Sequence, residues 1–181
     1  MYFKFDAIMN DEDYINFNVF YQTMTPDGKR GIKRARIRLI IVSLLMCFIV
    51  FSLTQSPGAT AYFFTVLLIY FIVFCLRKKQ NAVNITKRSL KISRESGRHL
   101  YPQYSVMEFF DDYFVESVDG IRTEIMYSVV KSVKILNGRY LYIDINNTGF
   151  YILPFKAFSS NEECTVFIDF LRTKVQNVEF Y

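Results

Sequence analysis

The longest apolar segment of the chain predicts two helices that cross a membrane. From Leu39 to Leu76 the sequence contains no Asp, Glu, Lys, Arg or His over 38 residues. One continuous helix of that length would extend roughly 57 Å, almost twice the roughly 30 Å hydrocarbon core of a bilayer. The segment Thr54-Gln55-Ser56-Pro57-Gly58 interrupts it with polar and turn-forming residues. We therefore expect a hairpin of two spans, at about residues 37–54 and 59–76.

A helical hairpin buried inside a soluble protein is the alternative interpretation of this segment. A helix at the surface of a soluble protein carries a polar stripe that faces the solvent. Neither of the two apolar stretches has such a stripe. We therefore favour the membrane interpretation, with residues 29–80 forming the hairpin and its basic flanks.

The N-terminal region, residues 1–28, predicts a short strand followed by an amphipathic helix. Tyr2-Phe3-Lys4-Phe5 is strand-like, and Asn10 is a suitable helix N-cap before the acidic residues 11–13. Pro26-Asp27-Gly28 is expected to end the helix. The apolar residues that follow Asn10 recur on one helical face, which we interpret as core rather than as a ligand site: Tyr14, Phe17, Tyr21 and Met24.

Residues 81–103 form a juxtamembrane connector whose pattern leaves two structures open. Apolar residues alternate here with polar and basic ones, at Val83, Ile85, Leu90 and Ile92. This pattern is compatible with a helix and with a first strand.

The C-terminal region, residues 104–176, predicts an antiparallel meander that is closed by one helix. Asp119-Gly120 and Asn137-Gly138 are strong hairpin signals, because both residues of each pair tolerate positive φ. A further connector is Asn146-Asn147-Thr148-Gly149. The predicted strands are Ser105–Phe110, Tyr113–Ser117, Ile121–Tyr127, Val130–Leu136, Arg139–Ile145 and Phe150–Pro154.

A capping box predicts the start of the final helix. Ser159 with Glu162, or Ser160 with Glu163, has the required spacing, and the helix is expected to extend to about Lys174. The predicted fold class is therefore an α+β membrane protein. It combines a two-helix transmembrane hairpin with a C-terminal antiparallel β half-barrel that is closed by one helix.

The order of these features resembles the YcxB-like family of bacterial membrane proteins. The matching segments are Asp11–Phe17 before the hairpin, Tyr127-Ser128-Val129-Val130 leading into a strand, and Tyr151–Phe158 before the last helix. The resemblance implies a pleckstrin-homology-like (PH-like) C-terminal domain and no catalytic residues. Such proteins often carry Trp at the position of Tyr127, and we expect Tyr127 to fill the same packing role.

The net charge of +5 is not spread evenly along the chain. Residues 29–98 contain fourteen basic residues and one acidic residue, whereas residues 1–28 and 99–181 each carry a net charge of −4. The positive charge therefore flanks the apolar spans and does not indicate nucleic-acid binding. These flanking basic residues either set the topology or contact anionic lipid: Lys29, Arg30, Lys33, Arg34, Arg36, Arg38, Arg77, Lys78 and Lys79.

The same distribution predicts how the chain is oriented. Basic residues precede the first span and follow the second, while the loop between the spans carries no charge. The positive-inside rule then places both termini in the cytoplasm, with the hairpin in the cell membrane as a multi-pass anchor.

Catalytic and metal-binding patterns are weak in this sequence. His99 is the one histidine, and Cys47, Cys75 and Cys164 lack metal-ligand spacing. The paired carboxylates Asp111-Asp112 and Glu162-Glu163 have structural explanations as a turn and a first helical turn. We expect no enzyme activity, no cofactor and no metal. The expected function is a cytoplasmic PH-like interaction module, held at the lipid bilayer, that binds a protein partner or forms a homo-oligomer. The alternatives are a small oligomeric pore or transporter accessory subunit and, last, a membrane enzyme dependent on His99.

Overall fold

The computed structural model describes residues 1–145 and 149–181. Two compact units form: the β unit, residues 1–14 and 99–181, and the helical unit, residues 15–98. Short 3₁₀ turns lie at Tyr127–Val129 and Phe155–Ala157. Within the described residues the elements are, in chain order, β1 (Phe3–Ile8), α1 (Asp11–Met24), α2 (Pro26–Thr54), α3 (Pro57–Leu76), α4 (Lys78–Glu95), β2 (Tyr104–Phe109), β3 (Tyr113–Val118), β4 (Ile121–Met126), β5 (Val130–Leu136), β6 (Tyr140–Ile145), β7 (Gly149–Pro154), α5 (Asn161–Lys174) and β8 (Val178–Phe180).

Among the described residues, two four-stranded sheets build the β unit. The first sheet has the order β1-β2-β3-β4 and is antiparallel throughout. The second has the order β7-β6-β5-β8, and its three longer strands are antiparallel while β8 runs parallel to β5. The predicted α+β class with antiparallel sheets is confirmed.

The first sheet contains a strand from the other end of the chain. β1 pairs with β2 in a register that places Phe3 opposite Phe109 and Ile8 opposite Tyr104. β8 lies beyond residue 176 and pairs Val178 with Val133. The sheets therefore extend past the predicted boundaries of 104 and 176, because strand pairing joins segments that are distant in sequence.

The two predicted tight turns have the expected backbone conformation. Asp119 and Gly120 have φ values of 49° and 81°, and Asn137 and Gly138 have values of 47° and 61°. Positive φ at both central residues matches the right-handed twist of the flanking strands. The predicted connector Asn146-Asn147-Thr148 lies outside the described residues, and Gly149 begins β7.

The core of the β unit is organised around one aromatic side chain of α5. Phe167 has no exposed surface. The helix that carries it is capped by the predicted Ser160, whose hydroxyl accepts a hydrogen bond from the Glu163 amide at 3.1 Å. Four rings surround Phe167 at centroid distances of 5.1, 4.8, 4.7 and 5.6 Å: Phe3, Phe5, Phe109 and Phe158. Helix α5 thus fills the interior that the two sheets leave open.

Tyr127 is a packing residue at the corner between the two sheets. Its side chain is 7% exposed and its ring lies 6.1 Å from that of Phe114 and 6.2 Å from that of Phe170. Its hydroxyl donates a hydrogen bond to the Phe110 carbonyl at 3.2 Å. Burial raises the pKa of this phenol well above its ordinary value.

The helical unit contains two helices that are long and apolar enough to span a membrane. They are α2, with 29 residues, and α3, with 20 residues. Only 6% of the apolar window of α2 and none of that of α3 is buried. Ser56 caps α3 by accepting a hydrogen bond from the Ala59 amide, and Pro57 occupies the first turn, where its missing N–H costs nothing.

The remaining helices show where the first helix ends and which structure the connector adopts. Pro26-Asp27-Gly28 ends one helix and starts the next, because α1 stops at Met24 and α2 begins at Pro26. The basic residues before the first span are therefore helical. The connector is the helix α4, whose buried face consists of Ala82, Thr86, Leu90 and Ser93.

Candidate functional site

The helical unit concentrates the positive charge of the protein. It contains fourteen basic and two acidic residues, a net charge of +12, whereas the β unit has eight basic and fifteen acidic residues, a net charge of −7. The basic side chains of α2 occupy its first four turns, directly before the uncharged part of the helix. The others begin at the junction of α3 and α4. Both groups therefore lie at the same end of the hairpin.

The start of α2 is fixed by a threonine cap and a close helix approach. Thr25 Oγ1 accepts a hydrogen bond from the Gly28 amide at 3.1 Å and donates one to the Tyr21 carbonyl at 2.6 Å. A Cβ at Gly28 would lie 2.0 Å from the Tyr21 carbonyl oxygen. Only glycine permits this approach, so Gly28 sets how α2 leaves α1.

The junction of α3 and α4 is stabilised by one side chain. Asn81 Nδ2 donates a hydrogen bond to the Phe74 carbonyl oxygen at 3.0 Å. That carbonyl belongs to the last turn of α3, where backbone acceptors lack intrahelical partners. The bond links the first turn of α4, which begins at Lys78, to the last turn of α3.

A cavity of about 350 Å³ lies between these helices of the helical unit. Two of the predicted basic residues, Arg36 and Lys78, line it. Arg36 Nε is buried and has no hydrogen-bond partner among the described residues. The acidic lining residue, Asp27, lies 3.3 Å from Arg30 in an ion pair. Apolar side chains complete the wall, including Ile32, Phe74 and Ile85.

The structure therefore separates the nine predicted basic residues into two groups. Arg36 and Lys78 both line the cavity, although 42 positions separate them in the sequence. The other seven do not line the cavity and are exposed: Lys29, Arg30, Lys33, Arg34, Arg38, Arg77 and Lys79.

Sequence reasoning did not identify Gly31 and Asn81 as parts of this site. Gly31 lines the cavity, and a Cβ built there would meet nothing within 4 Å. The pair Gly28 and Gly31 near the start of a long helix was the available signal, since small residues permit close helix approach. Asn81 gave no comparable signal, because its partner is a backbone carbonyl.

The β unit holds a second polar cluster, formed around a buried carboxylate of α1. Asp13 is 6% exposed. Its Oδ1 accepts a hydrogen bond from the Tyr140 hydroxyl at 2.9 Å, and its Oδ2 lies 2.7 Å from Lys156 Nζ. The Asp13 amide also donates to the predicted cap residue Asn10 at 2.9 Å. These bonds satisfy the carboxylate and attach the start of α1 to β6, which is a structural role.

A buried ion pair lies between β5 and β6. Lys134 Nζ is 2.5 Å from Asp144 Oδ2 and donates a hydrogen bond to Ser132 Oγ at 2.6 Å. The lysine side chain is 5% exposed and the aspartate side chain 13%. The Lys134 ammonium group also lies 5.4 Å from the centroid of the Phe150 ring. The ammonium group, one carboxylate oxygen and the hydroxyl are engaged with one another, so this cluster stabilises the sheet rather than offering a reactive group.

The main catalytic candidates from the sequence are exposed, buried or engaged in structural contacts. His99 is exposed, Asp111 forms an ion pair with Lys174, and Glu163 takes part in the cap of α5. Cys164 is buried, and burial raises the pKa of its thiol. Within residues 1–145 and 149–181, no group of three His, Cys, Asp or Glu side chains has metal-binding geometry.

Comparison with known protein families gives a match over part of the β unit. Residues 109–171 match the family described as YcxB-like protein. This range extends from the last residue of β2 into α5 and covers about a third of the chain. It confirms the resemblance for this part of the β unit, and the helical unit lies outside it. No curated protein and no solved structure matches the chain significantly.

Proposed function

We propose that this chain is a multi-pass membrane protein that holds its β unit at the cytoplasmic face, where the unit binds a protein partner or a second copy of the chain. The observation that carries this proposal is the exposure of the apolar helices. Leu53 is 80% exposed and Leu76 is 78% exposed, in helices long enough to cross a bilayer. Such a surface is stable in lipid and not in water.

The charge distribution supports one orientation. Basic residues lie at the open end of the hairpin, before the apolar part of α2 and at the start of α4, while the residues between α2 and α3 are uncharged. Positive charge is retained on the cytoplasmic side during membrane insertion. The β unit, which is joined to that end, is then cytoplasmic.

We further infer that the β unit is a PH-like interaction module without catalysis of its own. Two sheets that enclose a C-terminal helix, with Phe167 at the centre, support this assignment. The net charge of −7 disfavours binding of phosphoinositide head groups, which requires clustered Arg and Lys side chains. It favours a protein or peptide partner with a basic surface.

Cysteine labelling in intact cells tests the membrane orientation. We expect Ser56→Cys, in a background with the three native cysteines replaced, to react with an impermeant thiol reagent added outside. Ser89→Cys, at an exposed position of α4, is the control and is expected to react only after the cells are opened. The reverse pattern would place the β unit outside the cell, and release of the chain from the membranes by an alkaline wash would contradict the membrane anchor.

Site-specific photo-crosslinking in native membranes tests partner binding. We would place the crosslinker at Thr123 of β4, because β4 is an exposed edge of the first sheet and sheet edges recruit further strands. A discrete crosslinked product is expected there and not with the crosslinker at Thr54, at the end of α2. Identical products at both positions, or none at Thr123, would contradict the module function.

The alternative of a pore or transporter subunit has less support. Ionisable side chains within membrane spans usually mark ion pathways. The segment from Leu39 to Leu76 contains none.

A further inference from the structure

We propose that the cavity of the helical unit binds the phosphate group of one anionic phospholipid molecule. Its two cationic lining residues lie at the two boundaries of the uncharged segment: Arg36 precedes Leu39 by three positions, and Lys78 follows Leu76 by two. At about 1.5 Å per residue, Arg36 lies about 5 Å from Leu39 along α2. Lys78 follows the end of α3 by two residues, so it lies at most about 7 Å from Leu76. Lipid phosphates occupy this depth of a bilayer. The inference rests on the membrane location proposed above.

The chemistry of Arg36 is the first argument for a bound anion. Its Nε is buried and has no acceptor among the described residues. A buried donor without a partner destabilises the protein, so such groups are normally satisfied by protein, water or ligand. The guanidinium group matches phosphate because its N–H groups point in parallel toward two oxygens. A phosphate in the cavity would supply the missing acceptor.

The charge balance of the cavity is the second argument. Within the described part of the chain, neither Arg36 nor Lys78 forms an ion pair, so both charges are available. The negative charge of Asp27 is opposed by Arg30 at 3.3 Å. An anion in the cavity therefore faces two cations without ion-pair partners among the described residues, and the acidic residue of the lining repels it only weakly because Arg30 opposes its charge.

The apolar part of the wall identifies the source of the phosphate. Ile32, Phe74 and Ile85 line the same cavity as the two cations. Free phosphate gains nothing from such a surface, whereas a lipid presents its glycerol and first acyl carbons directly beside its phosphate. A cavity of about 350 Å³ accommodates a head group with part of its backbone. We therefore assign the site to an anionic phospholipid.

The exposed basic residues of α2 provide the comparison that the test needs. They attract any anionic surface through long-range electrostatics that salt screens. Arg34 is exposed and does not line the cavity, although it lies only two positions from Arg36. Arg34→Gln and Arg36→Gln therefore change the net charge equally and differ in whether the cavity loses a cation.

A third variant blocks the cavity without altering charge. A Cβ at Gly31 would meet nothing within 4 Å, and Gly31 lines the cavity. Gly31→Leu thus places a side chain in the space that we assign to the lipid, and leucine is a better helix former than glycine. Circular dichroism of the full chain checks that the helices remain intact.

Native mass spectrometry of the full-length chain, released from detergent micelles, measures the binding directly. The probes are phosphatidylglycerol, phosphatidylcholine and inorganic phosphate. We expect one saturable phosphatidylglycerol adduct in the wild type and in Arg34→Gln. Arg36→Gln is expected to bind about tenfold more weakly, which corresponds to losing one charge-assisted hydrogen bond. Gly31→Leu is expected to weaken binding by at least as much, because its side chain occupies the space assigned to the lipid. Phosphatidylcholine and inorganic phosphate are expected not to saturate.

Three results would overturn the site. Equal weakening by Arg34→Gln and Arg36→Gln would show that only diffuse electrostatics acts. Unchanged binding in Gly31→Leu would exclude the cavity, and saturation by inorganic phosphate at the same concentration as by lipid would exclude a lipid source. Failure of the membrane location is detected separately, because the chain would then leave alkaline-washed membranes regardless of these variants.

Discussion

Gly28 is a residue at which the backbones of α1 and α2 lie very close together. A Cβ there would lie 2.0 Å from the Tyr21 carbonyl oxygen and 2.6 Å from the Gln22 Cα. Both are backbone atoms, so no rotation of a side chain relieves the contact. The helices must separate to admit even one methyl group.

We predict that Gly28→Ala lowers the free energy of unfolding by about 1–3 kcal/mol, the usual cost of overpacking. Gly31→Ala is the matched control, because its Cβ meets nothing within 4 Å and the residue is also helical. It is expected to raise stability by up to about 1 kcal/mol through helix propensity. Thermal unfolding of both full-length variants in detergent, followed by circular dichroism, measures the difference. Equal effects of the two substitutions would contradict the close approach of α1 and α2 at Gly28.

Lys134 provides a second prediction at the scale of single residues. Its ammonium group lies 2.5 Å from Asp144 in a nearly dry environment. Lys134→Met removes one partner and leaves a buried carboxylate, so we expect a loss of roughly 3 kcal/mol in unfolding free energy. The double variant Lys134→Met with Asp144→Leu is expected to lose less, because no buried charge remains. Denaturant unfolding measures both, with Lys131→Met at an exposed position of β5 as the control. A double variant less stable than the single one would refute this account.

Glu116 gives the stability of the β unit a dependence on pH. It lies on β3 opposite Met107, which has no exposed surface, and burial raises the pKa of its carboxyl above the ordinary 4.5. A hydrogen bond with Ser105 opposes this shift without cancelling it. Burial disfavours the ionised form, so this group reduces the stability of the folded state as pH rises from 4.5 through the raised pKa.

Glu116→Gln removes this titration and keeps the shape of the side chain. We expect the variant to gain stability relative to the wild type as pH rises through that window, and the difference to become constant at higher pH. Unfolding of both proteins between about pH 4 and about pH 8 checks the sign. A stability difference that is independent of pH, or that falls as pH rises, would contradict a raised pKa at Glu116.

At the scale of elements, the sequence shows local structure better than long-range pairing. The turns at Asp119-Gly120 and Asn137-Gly138 have chemistry that specifies them locally, and β5 spans Val130–Leu136 as predicted. The partner of β1 was not predictable, because nothing near Phe3 indicates that it pairs with Phe109. Register of this kind depends on which surfaces are buried together in the folded protein.

The connector before the β unit shows why one element stayed ambiguous. Alternation at Val83, Ile85, Leu90 and Ile92 suits a strand, yet α4 is a helix whose buried face uses mostly small residues. Ala82 and Thr86 on that face are too small or too polar to signal a core stripe. The cavity was equally hidden, because a space between helices depends on how far apart their axes lie. Its two cations were identified from sequence only as members of a larger basic set.

At the scale of the whole molecule, the division of charge agrees with a division of roles. The helical unit carries +12 and the β unit −7, so the net +5 describes neither. For the membrane location proposed above, a cationic, apolar unit suits an anionic bilayer surface. The acidic charge of the β unit is consistent with the proposal that this unit binds a protein partner.

The chain connectivity predicts which fragment of the protein folds alone. β1 contributes Phe5, 2% exposed, and Ala7, 1% exposed, to the core of the β unit, so a fragment of residues 99–181 lacks part of that core. Tyr14 and Tyr101 stack with ring centroids 4.9 Å apart, so the ends left by removal of residues 15–98 are close together.

We therefore expect residues 1–14, joined to residues 99–181 by a linker of about six Gly and Ser residues that reaches up to roughly 20 Å, to fold as a soluble protein. The fragment 99–181 alone is expected to aggregate, because it exposes the apolar surface that β1 covers. Size-exclusion chromatography and amide NMR dispersion of the two proteins test this directly. Equal folding of both would mean that β1 is dispensable. If the joined protein does not fold in buffer or in detergent, the β unit needs the hairpin to fold.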